Sequence, residues 1–452
     1  MSDRQTDASD PASAPAGLDE AVRMQRDLYL VWREVAAAGG NGLALTARGY
    51  LPRAALRRLR ERTSAALGGD VVGASGGRPL LVSGGRVEAS ADATEPEDAR
   101  IFFIRRLLER LSLLHRVDHE DGGRDGGHDG HGGTRLVAAE RALIERYLAH
   151  PLAERVRIGV RLWVAGGWWP DAVDPAAIPP RAMVPAPPRI AVARRRLIED
   201  LLELAPGDVL AVPPASGAAF ASSRRVRAGR SRVHSAASAA GADATGEAAT
   251  RRAALLGPLA WLGVAAPARD ERTVRVAAGI GALRPEPVEL PERHGRVVLQ
   301  SDFSIVAYPP LTAPELLLLD GCAREEALDA TARYRLGVAA FAQAHDRGWG
   351  AAEVAARLEA LGGTALPQNV RATLDDWARN AERLRLTSNA TILTVREAKL
   401  LDALLADPGC AGWVTRRLGP LHALLAPDAA HAVRGWLLRK GELPAMRGKL
   451  AG

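Results

Sequence analysis

Val297-Val298-Leu299-Gln300-Ser301-Asp302-Phe303-Ser304-Ile305-Val306-Ala307-Tyr308 reads as two short strands around a turn at Ser301 and Asp302. Pro314 then opens a helix that runs through Cys322, because proline is well placed at a first helical position. The spacing predicts further helices over 337–347, 351–361 and 367–380, the last with Pro367 near its start. A second hairpin is expected from Leu384-Arg385-Leu386 and Thr391-Ile392-Leu393-Thr394-Val395, turning across 387–390. Helices over 396–406 and 428–438 finish the chain. Strands mixed with helices in this order indicate an α+β fold, predominantly helical.

Upstream, residues 1–17 read as a disordered tail. A helix is expected from Leu18 to about Ala37, carrying Val22, Leu28, Leu30, Val31 and Val35 and closed by Gly39, Gly40 and Gly42. Leu43 to Leu51 is a short extended piece leading into a helix near Pro52, with Leu56 and Leu59 on one face and Arg53, Arg57, Arg58 and Arg60 on others. A glycine-rich loop (67–86) precedes a helix over 95–115 with a broad apolar face. Leu136 to Ala149 is predicted helical, after a Gly/Asp/His insert from Asp118 to Gly133. That order makes 18–170 a winged-helix-like region. A Pro-rich boundary from Asp171 to Pro188 opens a middle region, 171–294, with a helix over 192–204 and an aperiodic Ser/Ala/Gly/Arg insert at 214–250. The last domain spans 295–452.

The 452 residues are 47% hydrophobic and 25% charged, with a net charge of +7. A basic balance permits phosphate binding, although +7 is modest when spread over this length. The two cysteines, Cys322 and Cys410, have no CxxC partner, so they read as small apolar core residues of a reducing compartment. The start lacks a basic, then apolar, signal pattern. No apolar run approaches the roughly 18 residues of a membrane span. A cytoplasmic protein with no membrane contact is expected.

Arg224, Arg225, Arg227, Arg230 and Arg232 form the densest basic run. It suits salt-dependent phosphate binding and equally a self-repelling charged linker. Arg194, Arg195 and Arg196 open a helix and join the same candidate surface. Trp163, Trp168 and Trp169 read as core in preference to base-stacking platforms. His115, His119, His128 and His131 lie among Asp and Gly. Glycine gives no preorganised geometry there, so no metal site is expected. No Gly-rich loop ends in Gly-Lys-Ser/Thr, because Lys399, Lys440 and Lys449 sit elsewhere. Asp375 and Asp376 are adjacent on a helix and point apart. With no nucleophile elbow and no His-Glu-x-x-His pair, neither catalysis nor a cofactor is expected.

Several of these stretches together resemble a known family: the 297–303 strand, Pro314-Glu315-Leu316-Leu317-Leu318-Leu319-Asp320, Tyr334-Arg335-Leu336, His345-Asp346-Arg347-Gly348-Trp349, and Leu366-Pro367-Gln368-Asn369-Val370 followed by Leu374-Asp375-Asp376-Trp377. They are similar to the domain at the N-terminus of XPB-type helicases, which also occurs in bacterial helicase-associated proteins without a motor. The resemblance covers about 296–395, and Leu43 to Leu59 more loosely. Pro367, Gln368, Asn369, Asp376 and Trp377 are its most specific part, read as a proline-started helix bracketed by Asn369 with Trp377 packed beneath. The resemblance implies a motorless adaptor beside DNA unwinding, repair or transcription, with DNA and a helicase or nuclease subunit as partners. A protein-binding scaffold without DNA affinity is the alternative.

Overall fold

The computed structural model describes residues 17–65, 98–118, 134–169, 188–214, 243–292, 294–329, 331–382, 391–410, 412–426 and 429–442. The chain divides into two compact units, residues 1–378 and 379–452. The expected tail, the 67–86 loop, the Pro-rich boundary and most of both inserts lie outside the described residues. The fold is the helix-dominated α+β architecture expected, with four small antiparallel sheets among the described residues. The expected boundary near 294 falls within the first unit.

The first unit is built around α1 (Leu18–Ala36). Its apolar residues occupy more than one face, and Gln25, Arg26, Asp27 and Glu34 are buried with them. A helix enclosed on all sides is a core helix, not a surface one. Its start crosses a turn at Gly263, whose φ is +74°. A Cβ there would stand 2.6 Å from the Gly17 carbonyl oxygen and 2.7 Å from Ala21 Cβ, so only glycine permits the approach.

After α1 come β1 (Leu43–Ala44), α2 (Arg53–Ala65), α3 (Ala99–Arg110), β2 (Leu114–Asp118) and β3 (Thr134–Ala138). The strands form one sheet in the order β1-β3-β2. Two expectations change here. The helix predicted to 115 stops at Arg110, and Leu114–Asp118 is extended. Residues 134–138, read in part as helix, pair with it as β3. Alternation of inward and outward side chains over these five-residue runs is too short to separate from a helical pattern.

α4 (Arg141–Leu148), α5 (Leu152–Ala165) and α6 (Pro188–Leu202) follow. Next are β4 (Val209–Ala211), α7 (Asp243–Leu256), α8 (Pro258–Trp261), β5 (Ala265–Pro267) and β6 (Thr273–Val276). The last three strands form a sheet in the order β4-β6-β5, and a 3-10 turn follows at Ala278–Leu283. Trp168, Trp169 and Trp261 converge on Phe103 with ring centroids 5.2–5.3 Å apart. The tryptophans are core, as expected.

β7 (Val297–Leu299) and β8 (Ser304–Ala307) are the predicted hairpin. They extend into a four-stranded sheet, β7-β8-β10-β9, with β9 (Arg324–Leu328) and β10 (Ala332–Arg335). α9 (Ala313–Cys322) lies between them in sequence and starts on a capping box. The Thr312 N–H donates to Glu315 Oε2 at 2.7 Å, and the Glu315 N–H returns to Thr312 Oγ1 at 3.4 Å. Such reciprocal bonds satisfy two backbone donors that the first turn leaves open. α10 (Val338–Asp346), α11 (Ala351–Gly362) and α12 (Gln368–Glu382) match the predicted helices.

The second unit holds β11 (Ile392–Thr394), α13 (Ala398–Ala406), β12 (Val414–Arg417), β13 (His422–Leu425) and α14 (Ala429–Arg439). β11 is the strand predicted over 391–395, but its partner is β13. The expected hairpin partner, 384–386, lies outside the described residues. The core of this unit includes Leu401, Leu404, Cys410, Val433, Trp436 and Leu437.

Candidate nucleic-acid interface

In the first unit most cations of the core helices face carboxylates. Arg100 of α3 bridges Glu20 and Asp27, both on α1. Arg105, Arg106 and Arg116 converge on Glu109. Burial would push the Glu109 carboxyl up, but Arg105, Arg116 and Arg106 together hold it below its ordinary range. Burial lowers the Arg106 guanidinium to about 10 despite Glu109. Every residue of α3 from Ile101 to Leu108 is buried, so this helix has no free face to lay in a groove of a duplex.

A second network centres on Asp320 of α9. The Tyr29 hydroxyl donates to its Oδ2 at 2.6 Å and the Tyr334 hydroxyl to its Oδ1 at 3.1 Å. Arg33 Nη1 reaches Asp320 at 2.9 Å and Glu325 at 2.7 Å. Burial works against the Arg33 charge, but Asp320, Tyr334 and Glu325 together raise the guanidinium above its ordinary value. Burial and the Asp320 charge raise both phenols far above the ordinary tyrosine value. The network ties α1 to α9 and β10 and offers no open chemistry.

The predicted site residues separate. Arg194 is fully buried on α6, which corrects its expected place on a solvent-facing phosphate surface. It donates to the carbonyls of Trp163, Gly166 and Trp169 at 2.5, 2.7 and 2.6 Å and stacks 4.9 Å from the Trp163 ring. Arg195 and Arg196 remain exposed. Arg224, Arg225, Arg227, Arg230 and Arg232 lie outside the described residues, as do His119, His128 and His131. Among the described residues no cluster of metal-ligating side chains occurs.

Pro367 precedes α12, as expected, and its carbonyl accepts from the Val370 N–H. Gln368 and Asp376 are exposed. Asn369 does not bracket its own helix: its Nδ2 donates to the Ser301 carbonyl at 2.7 Å, pinning the β7–β8 turn. Trp377 packs against Phe303 and Phe341, with centroids 6.1 and 5.9 Å away.

A denser excess of cations lies in the second unit. Residues 379–452 hold 12 Lys and Arg against 6 Asp and Glu, so nearly all of the +7 belongs to this stretch. Arg396, Lys399, Arg416 and Arg434 are exposed and form no salt bridge among the described residues. Arg416 sits in register with Leu424 of β13, which in turn faces Ile392 of β11. Ile392 is 55% exposed, so the outer face of this sheet is apolar beside a cation. Neighbouring Arg417 is held by Asp402 at 2.7 Å. On α14, Trp436 Nε1 donates to Asp407 at 2.7 Å, and Lys440 lies over the same ring. The Trp436 bond, then the Gly409 N–H, hold the Asp407 carboxyl below its usual range. These contacts make α14 a firm base for the exposed Arg434. Only the residue count signalled this surface, because its cations are scattered singly along the sequence.

The family described as "Helicase conserved C-terminal domain" matches residues 297–419. The chain therefore carries a helicase-associated domain. The match runs from β7 through β12, past the end of the resemblance read from the sequence, and takes in Arg396, Lys399, Arg416 and Arg417. No curated protein matches the chain. No helix among the described residues is long and apolar enough to cross a membrane.

Proposed function

We propose that the chain is a non-catalytic adaptor of a DNA-unwinding assembly, with the second unit contacting the nucleic-acid backbone. The observation that carries this reading is the two-to-one excess of cations over carboxylates in residues 379–452, with Arg396, Lys399, Arg416 and Arg434 exposed and without a salt bridge among the described residues. Phosphate contacts draw their strength from counterion release, which needs cations not already neutralised by carboxylates. The Leu366-Pro367-Gln368-Asn369 stretch with Asp376-Trp377 supports kinship with the XPB N-terminal domain. The chain's three lysines, none ending a phosphate loop, support the loss of the motor.

The order α1-β1-α2-α3-β2-β3 supports a winged-helix reading of the first region. Its third helix is used as core, so that region serves as a scaffold and not as a base reader. Arg224 to Arg232 would add a second, sequence-independent set of phosphate contacts.

The test is binding of the full chain to a duplex and to a single strand between about 50 and 200 mM salt, where several phosphate contacts produce a steep slope. Replacing Arg396, Lys399, Arg416 and Arg434 by Ala should weaken binding and flatten the duplex slope by about 3–4 units, near 0.9 per lost phosphate contact. Replacing Arg224, Arg225, Arg227, Arg230 and Arg232 measures that run separately. Absence of binding at low salt leaves the protein-scaffold reading. Nucleotide turnover by the purified chain overturns the non-catalytic one.

A further inference from the structure

A groove of about 600 Å³ opens between α5, α6 and the segment just after the 3-10 turn, wholly within the first unit. Its floor is aliphatic: Val160, Val164, Ile198, Leu202 and Leu283. The charged residues lining it are Arg157, Arg161, Arg195 and Arg284, and no carboxylate lines it. This departs from the rest of the unit, where most arginines of the core helices meet acidic partners.

The four guanidiniums are not equivalent. Arg157 Nε donates to the Ala282 carbonyl at 2.8 Å and Nη1 to Glu154 at 3.0 Å. Its Nη2 is shielded from water and has no hydrogen-bond partner. Arg284 Nη2 donates to the Leu204 carbonyl at 3.1 Å. Arg161 and Arg195 are exposed and make no salt bridge among the described residues. Arg157 and Arg161 stand one turn apart on α5, with Val160 and Val164 at the same spacing beside them. Cations and aliphatic residues thus alternate in register along the groove wall.

We propose that this groove docks an acidic amphipathic segment of a partner protein, with carboxylates on Arg161 and Arg195 and aliphatic side chains on the floor. Charge complementarity sets the sign, because Arg161 and Arg195 face the groove with no salt bridge among the described residues and Arg157 Nη2 has no hydrogen-bond partner. Arginine's planar fork matches a carboxylate in two parallel bonds. The aliphatic floor then excludes free anions as sufficient occupants, since they would leave it wet. It also disfavours nucleic acid. No aromatic ring lines the groove, and single strands gain their sequence-tolerant affinity by stacking bases on such rings. A helix laid in an apolar groove, with anchors at i, i+3 or i+4 and i+7, satisfies both features. The proposal stands whether or not the second unit binds DNA, since the two share no residue.

The experiment is selection of displayed 15-residue random peptides on the full chain, repeated on R161E/R195E. Both changes are at exposed positions, and thermal melts confirm that the variant folds. The expected result is recovery of peptides that interleave Asp or Glu with Leu, Ile or Phe. Their affinity should fall at least tenfold on R161E/R195E and decline with salt. Failure to recover such peptides overturns the proposal, as does equal affinity for the variant. A 20-nucleotide single strand that displaces the peptides, and itself needs Arg161 and Arg195, assigns the groove to nucleic acid and also overturns it.

Discussion

In α3, Arg100, Arg105 and Arg106 are enclosed against Glu20, Asp27 and Glu109, whereas in the second unit Arg416 and Arg434 stand in solvent without a salt bridge among the described residues. One residue type thus does two jobs. A buried guanidinium pays heavily in lost hydration and persists only with carboxylates or carbonyls around it. It then holds elements together. A solvated guanidinium contributes almost nothing to folding, so its clustering is informative about what the protein meets. Arginine count alone separates neither role. What separates them is the local supply of acid, which is near balance in residues 1–378 and two to one in favour of cations after that.

The largest effect expected from breaking this contrast is at Asp320. Asp320→Ala leaves Arg33 with only Glu325 and strands two buried phenols, which should cost about 3–5 kcal/mol in urea unfolding. A loss below about 1 kcal/mol would mean the network is solvated and the contrast overstated.

Alkaline pH gives a smaller effect, strongest in the first unit, although burial also raises the Cys410 thiol of the second. Burial pushes the Cys322 thiol up to about 12, and burial raises Tyr29, Tyr147 and Tyr334 as well. A raised folded value means stability is complete below the unfolded value and declines as pH climbs past it. The loss should begin near pH 8.5, where an unfolded thiol ionises, and reach about 1 kcal/mol by pH 9.5 from Cys322 alone. The tyrosines steepen it above about pH 10. Urea midpoints at pH 7.5 and 9.5 measure it, and Cys322→Ala should remove the early part.

The smallest stability effect is expected in the second unit. Arg416→Ala and Arg434→Ala should each change the unfolding free energy by less than about 0.5 kcal/mol, while lowering DNA affinity. A stability loss as large as that at Asp320 would show that these residues are structural after all.

The helices were largely legible in the sequence, because α1, α3 and α9 to α14 carry enough turns for the apolar period to register. The β7–β8 hairpin was legible because its two strands are adjacent and the turn residues are Ser301 and Asp302. β1 and β11 fell in stretches read as extended, though the partner of β11 was not foreseen; most other strands were not legible. β4 finds its partner β6 some sixty residues later, and β9 reads Arg-Glu-Glu-Ala-Leu, a composition shared with helix surfaces. Arg194 was illegible for a different reason. Among three consecutive arginines, the one turned inward is chosen by helix rotation against Trp163 and Trp169, which no local pattern encodes. The charge asymmetry of the second unit was present in the sequence and was missed by averaging +7 over the whole length.

The β2–β3 hairpin closes below its tip: Asp118 and Thr134 are cross-strand partners, and Thr134 Oγ1 donates to Asp118 at 2.9 Å. Fifteen residues, rich in Gly, His and Asp, join these two positions, and the pairing of β2 with β3 is complete without them. The protein therefore has a splice point. Doubling the connecting length costs only about 0.6 kcal/mol of closure entropy, so a fluorescent domain or affinity tag can be inserted there without disturbing the helix that the rest of the first unit is packed around.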